Sequence, residues 1–292
     1  MCLNMTMYNE SQTFCEIEDF ILSILAGEVG VVQFKQQIIP LIKKSRRFFI
    51  DGNNYIAAII VFKQLEQIIF TANAFKFYDS IHDLPDHVVE GFIQHIQTQS
   101  ELIEADYQQD EKQFRAQTKK TERFLQELMQ EHDQLQIFAM QLGFTTEFLS
   151  VIQLYDVDLY IQAFLKLIQS RDSVPFRYIH SVIWQLRHDP AQGYYIQFFC
   201  IYVGAAETKI LPDHAQRIAD QWLETTNGYG KVHIETTALK GIFVNSQDGK
   251  QINRVLLRIK DLLEHGTQHH YLRVMRSRRK SFACQHIGIK SI

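Results

Sequence analysis

The residues best suited to chemistry crowd the end of the sequence. Arg273, Arg276, Arg278, Arg279 and Lys280 follow closely on one another, with Tyr271 and Phe282 on either side. Cationic side chains seek phosphates and flat aromatic rings stack on bases, so the segment is a candidate nucleic-acid contact. The competing reading is a solvated strand and tail. Just upstream, His265, His269 and His270 lie in EHGTQHHY. His265 and His269 would share one face of a continuing helix and hold a metal ion, whereas Gly266 favours a histidine-rich loop. Tyr229 and Tyr271 are conceivable nucleophiles, set against a packing role. His180 and His188 flank a hairpin, and His180 reads as a core histidine. A second basic cluster, Lys43 to Arg47, adjoins Phe48, Phe49 and Ile50 and reads as a helix end.

The balance of charge points the same way. The chain has 292 residues, 46% apolar and 22% charged, enough for a packed core and for two ordinary domains. Its net charge of −3 divides unevenly: residues 1–150 hold 12 Lys/Arg against 21 Asp/Glu, and residues 151–292 hold 18 against 12. The basic half is therefore the candidate partner of a polyanion. Cys2, Cys15, Cys200 and Cys284 form no C-x-x-C pair, which argues for a reducing compartment and against a zinc ribbon. No basic segment followed by an apolar one opens the sequence, and no apolar run is long enough to span a bilayer, so a cytoplasmic protein without a membrane partner is expected. Walker A, G-x-G-x-x-G, G-x-S-x-G and H-E-x-x-H patterns are absent, which removes the common nucleotide, hydrolase and zinc-protease readings.

The elements that must position these residues change character along the chain. Residues 1–145 read as helical: apolar stripes run from Phe14 to Leu25 and from Phe34 to Ile42, Tyr55 to Phe70 is strongly apolar, and Pro85 opens another helix. Gln108 to Leu142 reads as one long, solvated helix that Gly143 ends, and a domain boundary is placed there. Residues 146–292 then read as an α/β domain. Strands are expected over Phe148–Tyr155, Arg177–Arg187, Tyr194–Val203, Lys231–Glu235, Gly241–Val244 and Tyr271–Met275. Helices are expected over Tyr160–Ile168, from Asp213 through Trp222, and over Gln251–Leu263.

At Phe176–Gly204 the sequence becomes specific. FRYIHSVIWQLRHDPAQGYYIQFFCIYVG resembles the core hairpin of the inovirus-type replication proteins, the YagK/YfjJ family. The helix ending in Trp222, the strand opener GYGKVHI, the amphipathic helix to Leu263 and the close YLRVMRSRRKSFAC follow in the family's order. The resemblance covers about 140 residues, from about Phe148 to Ile287. The order of the elements reads as an α+β fold, a helical N-terminal half followed by an antiparallel-centred sheet with helices on one face, and the resemblance implies that this second part is HUH/ferredoxin-like. It also implies a nuclease that nicks single-stranded DNA with a tyrosine nucleophile and a divalent ion, Mg2+ or Mn2+, held by His-x-His on one strand.

The positions matching those two histidines are Tyr195 and Gln197, and the family's Tyr-x-x-Lys falls near Glu264–Thr267, where neither residue type stands. Tyrosine and a neutral glutamine are poor ligands for such an ion. The expectation is thus a DNA-binding protein of rolling-circle replication-initiator descent, from a phage, plasmid or integrated element, that lacks nicking activity and to which no catalytic or metal-binding residue is assigned. Its DNA contacts would be Arg273, Arg276, Arg278, Arg279, Lys280 and Tyr271. Residues 1–145 would serve a protein partner or a homo-oligomer. The alternatives are an active nicking enzyme using an unrecognised metal site and tyrosine, and a protein-interaction or regulatory module on the same fold.

Overall fold

The computed structural model describes residues 9–71, 81–172, 174–204, 213–234, 242–264, 271–277 and 279–287. It divides into two compact units.

The first unit comprises the chain up to Lys112 with residues 150–153 and 272–278. Its helices are α1 (Glu10–Leu25), α2 (Val31–Ser45), α3 (Ala57–Thr71), α4 (Asp86–Gln97) and the first turns of α5 (Ser100–Glu131). Asn9 caps α1, its side chain accepting from the Gln12 N–H. The apolar stripes meet as aromatic pairs: Phe20 lies 5.7 Å from Phe34 and 6.5 Å from Phe62, and Phe34 stacks on Phe92 at 6.2 Å. One feature comes from the far end of the sequence. Strand β1 (Asn53–Tyr55) pairs antiparallel with β7 (Val274–Arg276), so the expected strand at Tyr271–Met275 belongs to this unit.

The second unit is built on an antiparallel sheet of order β5-β2-β4-β3-β8, with β6 also pairing β2. The strands are β2 (Gln134–Phe144), β3 (Ser181–Asp189), β4 (Gly193–Val203), β5 (Gly230–Ile234), β6 (Ile242–Asn245) and β8 (Phe282–His286). Its helices are the rest of α5, α6 (Leu154–Ser170), α7 (Asp213–Thr225) and α8 (Gly249–Glu264).

The helices cover both faces of the sheet, not one. On one face Phe124, Leu125 and Leu128 of α5 and Val255, Ile259 and Leu263 of α8 pack on Leu135, Ile137, Ala139, Ile183, Phe199 and Ile201. On the other, Phe164 of α6 lies 5.6 Å from Phe198 and 5.4 Å from Trp222 of α7, whose indole N–H donates to the Gly143 carbonyl. Double coverage explains why β4 is an almost unbroken apolar run. A strand solvated on one face would alternate instead.

It also explains two corrections. Gln108–Leu142 is not one helix: α5 stops at Glu131, and Leu135 to Leu142 is strand β2, paired with β4 through eight residues of its length. Gly143 lies inside that strand, so the sheet begins before the boundary placed at 145. Leu135 and Phe138 fit a helical stripe by spacing, yet they point to opposite faces of a buried strand. The other correction is Phe148–Tyr155, which is a helical turn (Thr146–Leu149) and the start of α6 rather than a strand.

Candidate functional site

Tyr195 and Gln197 project from β4 on the same face as Phe199 and Ile201, because side chains two apart on a strand share a face. Along this face the chemistry changes. Toward one end of the strands lies the apolar core under α5 and α8. Toward the other, two polar rows cross the sheet. In one row Gln185 of β3 is opposite Gln197 of β4, Gln197 is opposite Gln141 of β2, and Gln141 is opposite His233 of β5. In the next, Arg187 is opposite Tyr195, and Gly143 is opposite Lys231. Gly143 leaves the second row low beside the Tyr195 ring: a Cβ there would lie 3.6 Å from the Tyr195 Cβ.

Most of the buried polar groups in these rows are held, although Gln185 Oε1 has no hydrogen-bond partner. Gln141 Nε2 donates to Gln197 Oε1 at 3.4 Å, and Gln197 Nε2 donates to the Met140 carbonyl at 3.4 Å. Gln185 Nε2 donates to Gln117 Oε1 of α5 at 2.8 Å. Arg187 is only 3% exposed. Its guanidinium hydrogen-bonds the Tyr195 side chain, donates to the Leu263 carbonyl at the end of α8, and lies 5.6 Å from the centre of the Phe114 ring. Burial raises the pKa of the Tyr195 phenol, while Arg187 draws it part of the way back. Burial lowers the pKa of Arg187, opposed by Tyr195. The phenol is thus a neutral hydrogen-bonding group at physiological pH. Toward β5 the rows open, and Lys231 and His233 are exposed.

The donor set does not suit Mg2+ or Mn2+. Gln197 is engaged on both ends of its amide, and Tyr195 is beside a fixed cation that would repel a metal ion. Among the described residues no cluster of three or more His, Cys, Asp or Glu can hold one. Arg187 also brings together the two regions where the resemblance puts the chemistry, since it touches both Tyr195 and Leu263, the residue before Glu264.

The basic close divides. Arg273 is 4% exposed, and its Nε is 2.6 Å from Glu18 Oε2 in the first unit, so its charge is neutralised inside the molecule and it is no surface contact. Arg276 is half-buried in β7 of the same unit. Tyr271, Arg279 and Lys280 belong to the second unit. Tyr271 is half-buried, Lys280 is exposed, and Arg279 is an exposed cation 3.4 Å from Asp158 of α6. Arg278, His265, Gly266, His269 and His270 lie outside the described residues, as does all but the first residue of the Glu264–Thr267 segment. Lys43 to Arg47 does close a helix, and its charges are locally engaged: Lys44 pairs with Glu16 at 2.6 Å and Arg46 with Glu66 at 2.8 Å. His188 is buried against Tyr194, with ring centres 5.3 Å apart. Tyr229 is exposed and stacks on Phe148 at 4.3 Å, within 11° of parallel.

Arg187, Gln185, Gln141, Lys231 and His233 did not stand out in the sequence. A signal was present for the first two. Gln185 and Arg187 are polar residues two apart, on either side of Leu186 at the end of the apolar run Val182–Trp184, so they share one face of the expected strand.

No model of a protein family, no curated protein and no solved structure matches this chain. Among the described residues no helix is long and apolar enough to cross a membrane.

Proposed function

We propose that the protein binds single-stranded DNA, is of rolling-circle replication-initiator descent, and does not nick the strand it holds. The observation that carries this reading is the Arg187–Tyr195 pair on β4 and its neighbour β3. It occupies the strand position at which the resemblance calls for metal-binding imidazoles, and it replaces a removable dication with a built-in guanidinium. A guanidinium does not supply the open coordination positions through which a metal ion activates a phosphodiester, and at 3% exposure Arg187 is committed to Tyr195 and Leu263 rather than to a phosphate, so contact with the strand falls to the exposed groups around it. Lys231 and His233 on the open side of the same rows, with Arg279 and Lys280, provide exposed positive or protonatable groups. Arg276 and Arg278 remain part of the proposal through the basic close of the sequence.

The experiment is incubation of the full chain with end-labelled single-stranded DNA and Mg2+ or Mn2+. Reversible binding without a covalent adduct is expected. Binding should weaken with salt, with a log–log slope of about −0.7 per phosphate contacted, and replacement of Lys231, Arg279 and Lys280 by Ala should flatten that slope. A metal-dependent phosphotyrosine adduct would establish the nicking enzyme instead. Indifference of parent and variant to DNA at low salt would leave the interaction module.

A further inference from the structure

Away from the polar rows, three histidines from three elements of the second unit meet at the edge strand β8. His132 follows α5, His180 immediately precedes β3, and His286 ends β8. The His132 and His180 rings are 4.8 Å apart and the His180 and His286 rings 5.5 Å apart, both edge to face. The hydroxyl of Ser181, fully buried, bridges two of them: its Oγ is 2.9 Å from His180 Nδ1 and 3.1 Å from His286 Nδ1. The same residues tie down the strand. Ser181 pairs with His286 in the β3–β8 ladder, and the His180 carbonyl accepts from the Ile287 N–H at 2.8 Å.

We propose that His132, His180, Ser181 and His286 form a proton-sensitive latch that holds β8 on the edge of the sheet when the imidazoles are neutral and releases it when they take up protons. A hydroxyl has one hydrogen. It can donate to one Nδ1 while accepting from the other only if one imidazole presents a lone pair there and the other an N–H. If both rings are protonated, both Nδ1 atoms are donors and the buried hydroxyl hydrogen loses its acceptor. Like charge then accumulates between rings that touch. The charged surroundings add to this: the Arg171 guanidinium bonds the Ile179 and Ile287 carbonyls on either side of the cluster, and among the described residues the exposed Glu131 opposes it. Burial, His132 and His286 accordingly lower the pKa of His180. The penalty is absent above the ordinary histidine pKa of about 6.5 and grows as the pH falls below it. Phe124 of α5, 4.9 Å from the His286 ring, provides no charge to offset it.

Hydrogen exchange on the full chain, corrected for intrinsic rates, reads the latch directly. Amides of residues 282–287 should lose protection several-fold between pH 7.5 and pH 5.5, while those of β2 and β4 keep theirs. In the His180→Gln/His286→Gln variant the protection of that segment should be flat over the same range, since a glutamine can still bond Ser181 but does not titrate. Equal loss in parent and variant, or no loss in the parent, overturns the proposal. If the variant does not fold, imidazole C–H titration of the parent by NMR decides: His180 must titrate below the ordinary histidine pH, and titration at the ordinary pH overturns it.

Discussion

Arg187 stands directly across the β3–β4 pair from Tyr195, and the two side chains are hydrogen-bonded beneath α5 and α8. Neither is free to leave, since they are 3% and 6% exposed. Replacing Arg187 by Ala strands the phenol and the Leu263 carbonyl in a buried site, a loss of about 2–4 kcal/mol. Arg187→Lys should recover little of it, because a compact ammonium lacks the planar fork with which the guanidinium reaches both partners beside the Phe114 ring. Tyr195→Phe should cost about 1 kcal/mol. Urea denaturation ranks the three, and a Tyr195→Phe loss as large as that of Arg187→Ala would show that the pair is not organised around the guanidinium.

Arg273 makes a sharper separation between structure and binding. Its partner Glu18 also accepts from the Tyr107 hydroxyl at 2.5 Å, so a buried carboxylate satisfies two donors at once. Arg273→Ala removes the cation from that buried carboxylate and should destabilise the first unit by about 3–5 kcal/mol. Below its melting temperature the variant should still bind DNA as the parent does, whereas Lys280→Ala should weaken DNA binding without a change in melting. An Arg273→Ala protein of unchanged stability and lost DNA affinity would restore Arg273 to the contact surface.

The turn between β3 and β4 depends on one glycine. Asp189 Oδ1 accepts from the Ala191 and Gln192 N–H groups, and the chain then enters β4 through Gly193 at φ +71°. A Cβ at Gly193 would fall 2.6 Å from Leu149 Cδ2. Gly193→Ala therefore combines left-handed strain of about 1 kcal/mol with a clash. The added truncation Leu149→Ala should remove the clash and leave the strain. Thermal melting of the two single variants and the double variant must show a favourable coupling, and strict additivity would mean that Leu149 simply moves aside.

How much of this was legible follows from where the partners lie. β4 was readable because Phe198–Val203 is apolar on both faces and bounded by a turn. β2 was not, because Leu135 and Phe138 continue the spacing of α5 and no glycine or proline marks the break at His132–Asp133; burial on both faces erases the alternation that identifies a strand. The basic close was readable as charge, but not as position. Arg273 meets Glu18 across 255 residues of sequence, and no local pattern announces such a pair. Arg187 is the same case at shorter range, since Tyr195 is a hairpin neighbour while Leu263 arrives 76 residues later. Local patterns reached the central hairpin and several of the helices, whereas the candidate site depends on strand registers and helix ends that meet only in the folded chain.

Asp110 provides a pH response of the opposite sign to that of the histidine latch. Burial, with Asp106 and Glu18 nearby, raises its pKa from 3.8 to about 6. The folded first unit therefore binds that proton more tightly than the unfolded chain does. The resulting stabilisation is complete below about pH 3.8, and it is lost as the pH rises through about 6. At pH 7 the carboxylate is ionised against two like charges, at a cost of about 1–2 kcal/mol once its partial contact with solvent is discounted. Asp110→Asn should therefore stabilise the protein at pH 7.5 by about that amount and make no difference near pH 3.5, if the fold persists there. Urea denaturation of parent and variant at pH 4.5, 6 and 7.5 checks it, the difference between the two isolating Asp110 from the histidines. The gap must widen as the pH rises, and a gap that is constant or narrows would mean that Asp110 is not held protonated by its neighbours.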